Sequence, residues 1–135
     1  MASAATKENI ETARAMYDAF NSGDLETVMS NMADDAEWIE HDGSRFAGTH
    51  RGPDAILANV FAPVMEGMET FEAKTERFIE DGDTVVVLGS NEGVVAETGN
   101  SLSAKFAHVC EFEDGKMTRF ENYTDTHAWE RAYGE

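Results

Sequence analysis

The hydrophobic pattern changes period once, just past Pro63, and no other feature limits the fold as much. Before that point apolar residues recur at helical spacing. After it come two long strand-rich stretches, "TFEAKTERFIEDGDTVVVLGSNEGVVAETG" and "SLSAKFAHVCEFEDGKMTRFENYTDTHAW". Each contains "EDG", at Glu80–Gly82 and Glu113–Gly115. A three-residue hairpin loop with glycine in the left-handed position accounts for both. Helices followed by long antiparallel strands define an α+β class. Three N-terminal helices covering the concave face of a curved antiparallel sheet leave a cone with an open mouth, a natural small-molecule pocket.

Thr6 is expected to cap a first helix running to about Ser22, with Ile10, Ala13, Tyr17 and Phe20 on one buried face. Gly23 ends it. Asp24 caps a shorter second helix with Leu25, Val28, Met29 and Met32 inward. "AEWIEH" (Ala36–His41) reads as a short strand, and the following loop holds an extended piece at Arg45–Ala47. Pro53 opens a third helix, lined by Ile56, Leu57, Val60, Phe61 and Val64, which Pro63 should kink or end.

The length of 135 residues suits one domain, taken as 1–135. The net charge of −17 repels nucleic acid and anionic membrane, and no basic stripe offsets it. No run is long and apolar enough for a membrane span, and "MASAATKENI" has no apolar core of the secretory kind. The single Cys110 rules out an internal disulfide and fits a cytoplasmic setting. No zinc spacing, calcium loop, dinucleotide fingerprint or P-loop is present.

Phasing the last hairpin about Glu113–Gly115 places Phe112 opposite Lys116 and His108 opposite Phe120. Phe106, His108, Cys110, Phe112, Phe120, Asn122 and Thr124 then share the apolar face. His108 and Asn122 are its polar members. Asp125 joins them only if a β-bulge near Tyr123 or Thr124 shifts the phase. Otherwise it is a solvated strand-end acid, or the N-cap of a helical turn at "THAWERA".

The marks "YDAFNSGDLETVMSNMADDAEW", "FAGTHRGPDAI", "FIEDGDTVVVLG" and "FAHVCEFEDGKMTRFENYTDT" resemble, in order and over nearly the whole chain, the SnoaL-like branch of the nuclear-transport-factor-two-like superfamily. The resemblance implies a cone-shaped α+β barrel, no metal and no organic cofactor, and a homodimer built through the sheet, for which Val85, Val87 and Val109 offer apolar surface. It also implies an acid/base aspartate on the final strand, matched by Asp125 in "YTDT", and a pocket histidine matched by His108. The epoxide-hydrolase set of Arg and paired Asp is not in register. A dehydratase-type histidine pair would have to join His108 to His41 or His50.

These readings converge on a hydrophobic small-molecule ligand. Asp125 and His108 are the catalytic candidates, and Tyr17, Trp38, Phe61, Phe106, Asn122 and Tyr123 are the substrate-binding candidates. A carboxylate in an apolar cavity loses hydration, rises in pKa and can take an α-proton from a carbonyl compound. Asn122, Tyr17 or His108 could donate to the resulting enolate. Isomerase or polyketide-cyclase chemistry follows. A binding-only protein and a His/Asp dehydratase or hydrolase are the alternatives. Each residue also has a plainer reading: His108 as a satisfied core histidine, Asn122 as a partner of neighbouring backbone, Tyr17 as helix packing. Arg51 would anchor its turn on Asp54 or Asp35.

Overall fold

The computed structural model describes residues 2–134, with side chains of the first helix from Asn9 onward. Helix α1 (Ala2–Asn21) begins upstream of Thr6. Thr6 is therefore an interior helical residue and not the cap, and its side chain lies outside the described residues. Asn9, Ala13, Met16 and Ala19 are the buried positions among its described side chains, with Ile10, Tyr17 and Phe20 beside them, so the buried stripe is wider than i, i+3, i+7 spacing suggests. Gly23, at φ +83°, closes α1 in a Schellman arrangement: Asp24 N–H reaches Ala19 O at 2.8 Å and Gly23 N–H reaches Phe20 O at 3.1 Å. The Asp24 carboxylate then accepts from Thr27 N–H at 3.2 Å and caps α2 (Leu25–Ser30).

Strand β1 (Met32–Glu40) starts four residues before the expected strand. Strand β2 is Gly48–Arg51, not the Arg45–Ala47 piece. Pro53 opens α3 (Pro53–Ile56), a π-helical turn follows over Leu57–Phe61, and α4 (Ala62–Gly67) continues through Pro63. The π turn, with Ala62 N–H bonding Leu57 O, is the local adjustment that lets a helical path carry a proline.

Strands β3 (Met68–Asp81), β4 (Thr84–Val95), β5 (Ser101–Glu113) and β6 (Lys116–Thr124) complete a six-stranded sheet of order β2-β1-β6-β5-β4-β3. Among the described residues, only β1 and β6 pair in parallel. The sheet bends where β3 bulges between Thr75 and Arg77, opposite Gly89. A Cβ on Gly89 would lie 2.1 Å from Lys74 O and 2.8 Å from the Phe106 ring, so only glycine fits this crossing. A final helix, α5 (Thr126–Ala132), packs on β5.

Both hairpins are one residue tighter than expected. Gly82 and Asp83 connect the pair Asp81 and Thr84, and Asp114 and Gly115 connect Glu113 and Lys116. Asp114 (φ 52°) and Gly115 (φ 78°) give the second turn the two left-handed residues of a type I′ turn. A bulge then inserts Thr118, between the pairs Phe112–Met117 and Glu111–Arg119. The shorter loop and the extra residue together shift the register by two, so His108 lies opposite Asn122 and not Phe120. Parity survives: Phe106, His108, Cys110, Phe112, Phe120 and Asn122 all face the core.

Because Val85 pairs with Cys110 and Val87 with His108, these valines share the inward face and are fully buried. This corrects the expectation that they form an outer dimer surface. The outer face carries Val86, Leu88 and Val109 instead.

Candidate functional site

Helix α1, the π-helical turn, α4 and the concave sheet line a cavity of about 100 Å³, with Val28 of α2 and Trp129 of α5 completing its wall. Its walls are aromatic. The Trp38 ring lies on Phe120 with centroids 3.6 Å apart and planes 15° from parallel, and Phe61 meets Trp38 edge-on at 5.0 Å. His108 stacks on Phe106 at 3.7 Å.

Polar groups enter this apolar setting from α1 and from strands β1, β4 (the buried Asn91), β5 and β6. From α1, the Tyr17 hydroxyl meets His108 Nδ1 at 2.5 Å. Burial pushes the His108 imidazole down to about 3, so the ring is neutral. A Tyr17 O–H donated to Nδ1 would place the proton of the neutral ring on Nε2. The Tyr17 ring keeps some exposure, but its hydroxyl is enclosed, and burial, with Cys110 beside it, holds its pKa well above 10. Burial pushes the Cys110 thiol up to about 12, so it is the inert core thiol that its mid-strand position suggests.

The acid of the cavity is Glu40, at the end of β1 and 8% exposed. Trp38 Nε1 donates to its Oε2 at 2.7 Å, and Asn122 Nδ2 donates to its Oε1 at 3.0 Å. Desolvation raises the Glu40 pKa. The two hydrogen bonds, with His50 and His41 nearby, oppose that rise without cancelling it. Asn122 Oδ1 faces the His108 side of the network but finds no hydrogen-bond partner of good geometry. Trp129 Nε1, on the α5 wall, is a second buried polar atom without one.

Of the substrate-binding candidates, Tyr17, Trp38, Phe61 and Asn122 line the cavity, as does His108. Phe106 stands behind His108 as its stacking support. Tyr123 does not belong to the site: it is 49% exposed, lies against His41 and donates to Glu121 at 2.8 Å.

Asp125 is also outside. No bulge occurs near Tyr123 or Thr124, which pair regularly with Ala107 and Phe106. The exposed Asp125 carboxylate accepts from Ala128 N–H at 3.0 Å and caps α5. A short polar residue directly before a helix satisfies an orphan N–H, and that local demand sets its direction.

The histidine pair does not assemble either. His41 Nε2 pairs with Glu121 at 2.8 Å, and His50 Nε2 meets Phe46 O at 3.1 Å. Arg51 binds Glu37 at 2.5 Å in place of Asp54 or Asp35. Glu40 is the functional group that the sequence reading missed, although it lies two residues beyond Trp38 and so shares its strand face. Among the described residues, no group of three or more His, Cys, Asp or Glu side chains is placed to hold a metal ion, and no helix is long and apolar enough to cross a membrane.

The sheet and helices form an NTF2-like α+β cone, and known proteins share this fold. The sequence profile of the SnoaL-like domain matches residues 13–120, and the chain belongs to that family. It is similar to an NTF2-like protein of unknown function from Burkholderia pseudomallei, at 32% identity over 95% of this chain and 98% of that one, with a TM-score of 0.87. It is similar to TerC, co-crystallised with polyporic acid, at 32% identity over 95% and 99%, with a TM-score of 0.85. A protein from Jannaschia described as a SnoaL-like polyketide cyclase shares the fold at 20% identity over 94% and 92%, with a TM-score of 0.83. Comparison with curated proteins finds no match.

Proposed function

We propose that this protein moves a proton at the carbon next to a carbonyl in a small apolar compound, with Glu40 as the base. One observation carries the proposal: a nearly buried carboxylate, raised in pKa by desolvation, is held in fixed orientation by Trp38 and Asn122 inside an aromatic cavity. Poor hydration makes the carboxylate a stronger proton acceptor than it is in water, and fixed orientation removes the cost of aligning it.

In this reading Glu40 takes the α-proton and the C–H electron pair moves into the carbonyl, forming an enolate. The developing oxyanion accepts from His108 Nε2–H. The Tyr17 hydroxyl fixes the tautomer that places a hydrogen there. Neutral imidazole suits this work, because it donates without itself losing a proton to the solution. Protonated Glu40 then returns the proton to the original carbon or to a conjugated one. Return to a different carbon is isomerisation. Attack of the enolate on a second carbonyl in the same molecule is cyclase chemistry. The description of one fold relative as a polyketide cyclase supports this class of reaction.

A binding-only reading also rests on a specific observation. Both Glu40 oxygens already accept protein hydrogen bonds, as a structural acid's would. Deuterium uptake at the α-carbon of a small ketone in D2O separates the two. Catalysed exchange that Glu40→Gln abolishes supports proton transfer, and a bound ketone that never exchanges supports binding alone.

We further propose a cytoplasmic homodimer joined through the outer sheet face, where Val86, Leu88 and Val109 are half-buried and Ile79 is exposed.

A further inference from the structure

We propose that the cavity takes a neutral, one-ring carbonyl compound bearing a hydroxyl group that donates to Asn122 Oδ1. This names the ligand class of the site above and rests on that reading only for the reaction, not for binding. Three independent features lead to it.

The first is size. The cavity is about 100 Å³. An apolar cavity of roughly 150 Å³ is known to hold one benzene ring, so a single substituted ring is the right scale here. A four-ring skeleton would have to displace Trp38, Phe61 or Phe120, which already pack against one another.

The second is charge. The ionisable groups on the cavity wall are Glu40, His108, Tyr17 and Cys110. None of them is a cation: the imidazole is neutral, and His41 and His50 are engaged outside by Glu121 and the Phe46 carbonyl. An anionic ligand would be buried beside Glu40 with no cation on the cavity wall, which is unfavourable.

The third is a poorly satisfied acceptor. Asn122 is 7% exposed, and its Oδ1, set beside the cross-strand His108 ring, makes no hydrogen bond of good geometry. Its orientation is fixed by the network, because turning the amide over would set Oδ1 against the Glu40 carboxylate it now donates to. A buried acceptor in that state gains from any ligand O–H placed against it.

The test is a binding series on the purified wild-type protein, read by calorimetry, with 4-hydroxyacetophenone, acetophenone, 4-hydroxybenzoate and androstenedione. The hydroxyl should tighten 4-hydroxyacetophenone over acetophenone by about tenfold, the scale of one buried hydrogen bond. The benzoate should bind more weakly than 4-hydroxyacetophenone, and the steroid should not bind. Equal affinity for the two acetophenones, tighter binding of the benzoate, or steroid binding would each overturn the proposal. In Asn122→Leu the hydroxyl preference should vanish while acetophenone still binds; a preference that persists would overturn it too. Deuterium uptake into the methyl group of 4-hydroxyacetophenone is read in parallel. The expected binding order without uptake would leave this ligand class standing and remove Glu40 as a base.

Discussion

Asn122 on β6 donates its side-chain N–H to Glu40 on β1 at 3.0 Å, joining two strands that run parallel and two residues 82 positions apart in sequence. This contact makes a site out of a core. It holds an acid where the surrounding wall is aromatic, and it fixes the direction in which the amide's own oxygen points. The consequences are measurable.

Replacing Glu40 with Gln should lower α-proton exchange by about 10²–10⁴-fold, the usual weight of a positioned general base. The variant should fold, because Gln Oε1 can accept from Trp38 and its amide N–H can donate to the free oxygen of a turned Asn122. Stability should change in a pH-dependent way. The folded-state pKa of Glu40 is raised, so its contribution is fully present below the unfolded value near 4.5 and is lost as pH rises through the folded value. The Gln variant lacks that loss. Melting curves should therefore show it gaining on wild type as pH rises above about 4.5.

Asp125→Ala should leave exchange within about twofold of wild type and cost roughly 0.5–2 kcal/mol of stability, as lost helix caps do. Asp125→Asn, which can still cap, should cost less. Urea unfolding together with the exchange assay checks both variants. A large loss of exchange in either would return Asp125 to the mechanism.

His108 should make the protein acid-sensitive. An imidazole titrates near 6.5 in an unfolded chain, and here burial holds it at about 3. Its contribution is thus present above pH 6.5 and drains away as pH falls toward 3, because the unfolded chain takes up a proton that the folded chain refuses. The whole effect is on the order of a few kcal/mol. It runs opposite to the Glu40 slope, so it is best read as wild type against His108→Phe. Denaturant midpoints of the variant should fall less steeply below pH 6.5.

The outer sheet face should mediate dimerisation. Val109, the cross-strand partner of Val86, sits at its centre. Val109→Glu should yield monomers in sedimentation at micromolar concentration where wild type sediments as a dimer. A wild-type monomer would remove this proposal.

Much of this was readable in the sequence, and the misses have physical causes. The inward faces of β5 and β6 follow from alternation. They were placed correctly through two compensating facts, a hairpin one residue tighter than expected and an extra Thr118 on the strand. Because side-chain direction has a period of two, a register shift of two leaves every side chain on its face. Asp125 illustrates competition between a long-range and a local demand. The resemblance implies an acid/base aspartate at that position, but the start of α5 needs a cap one residue before Thr126, and the cap interaction is immediate.

Glu40 was legible in principle. Ala36, Trp38 and Glu40 alternate on one side of β1, so placing Trp38 at the pocket places Glu40 there too. A charged residue near the end of a strand nonetheless looks solvated. Only the pairing of Trp38 with Phe120 and of Glu40 with Asn122 shows that this strand end lies beneath the helices. No local pattern encodes that parallel pairing.

The most direct test is the titration of Glu40 itself, followed through its side-chain carboxyl carbon by NMR between pH 3 and pH 9 and assigned with Glu40→Gln. A midpoint clearly above the ordinary glutamate value of about 4.3 is the predicted result. A midpoint at or below that value would mean that the cavity does not desolvate its acid, and the proton-transfer account would be contradicted.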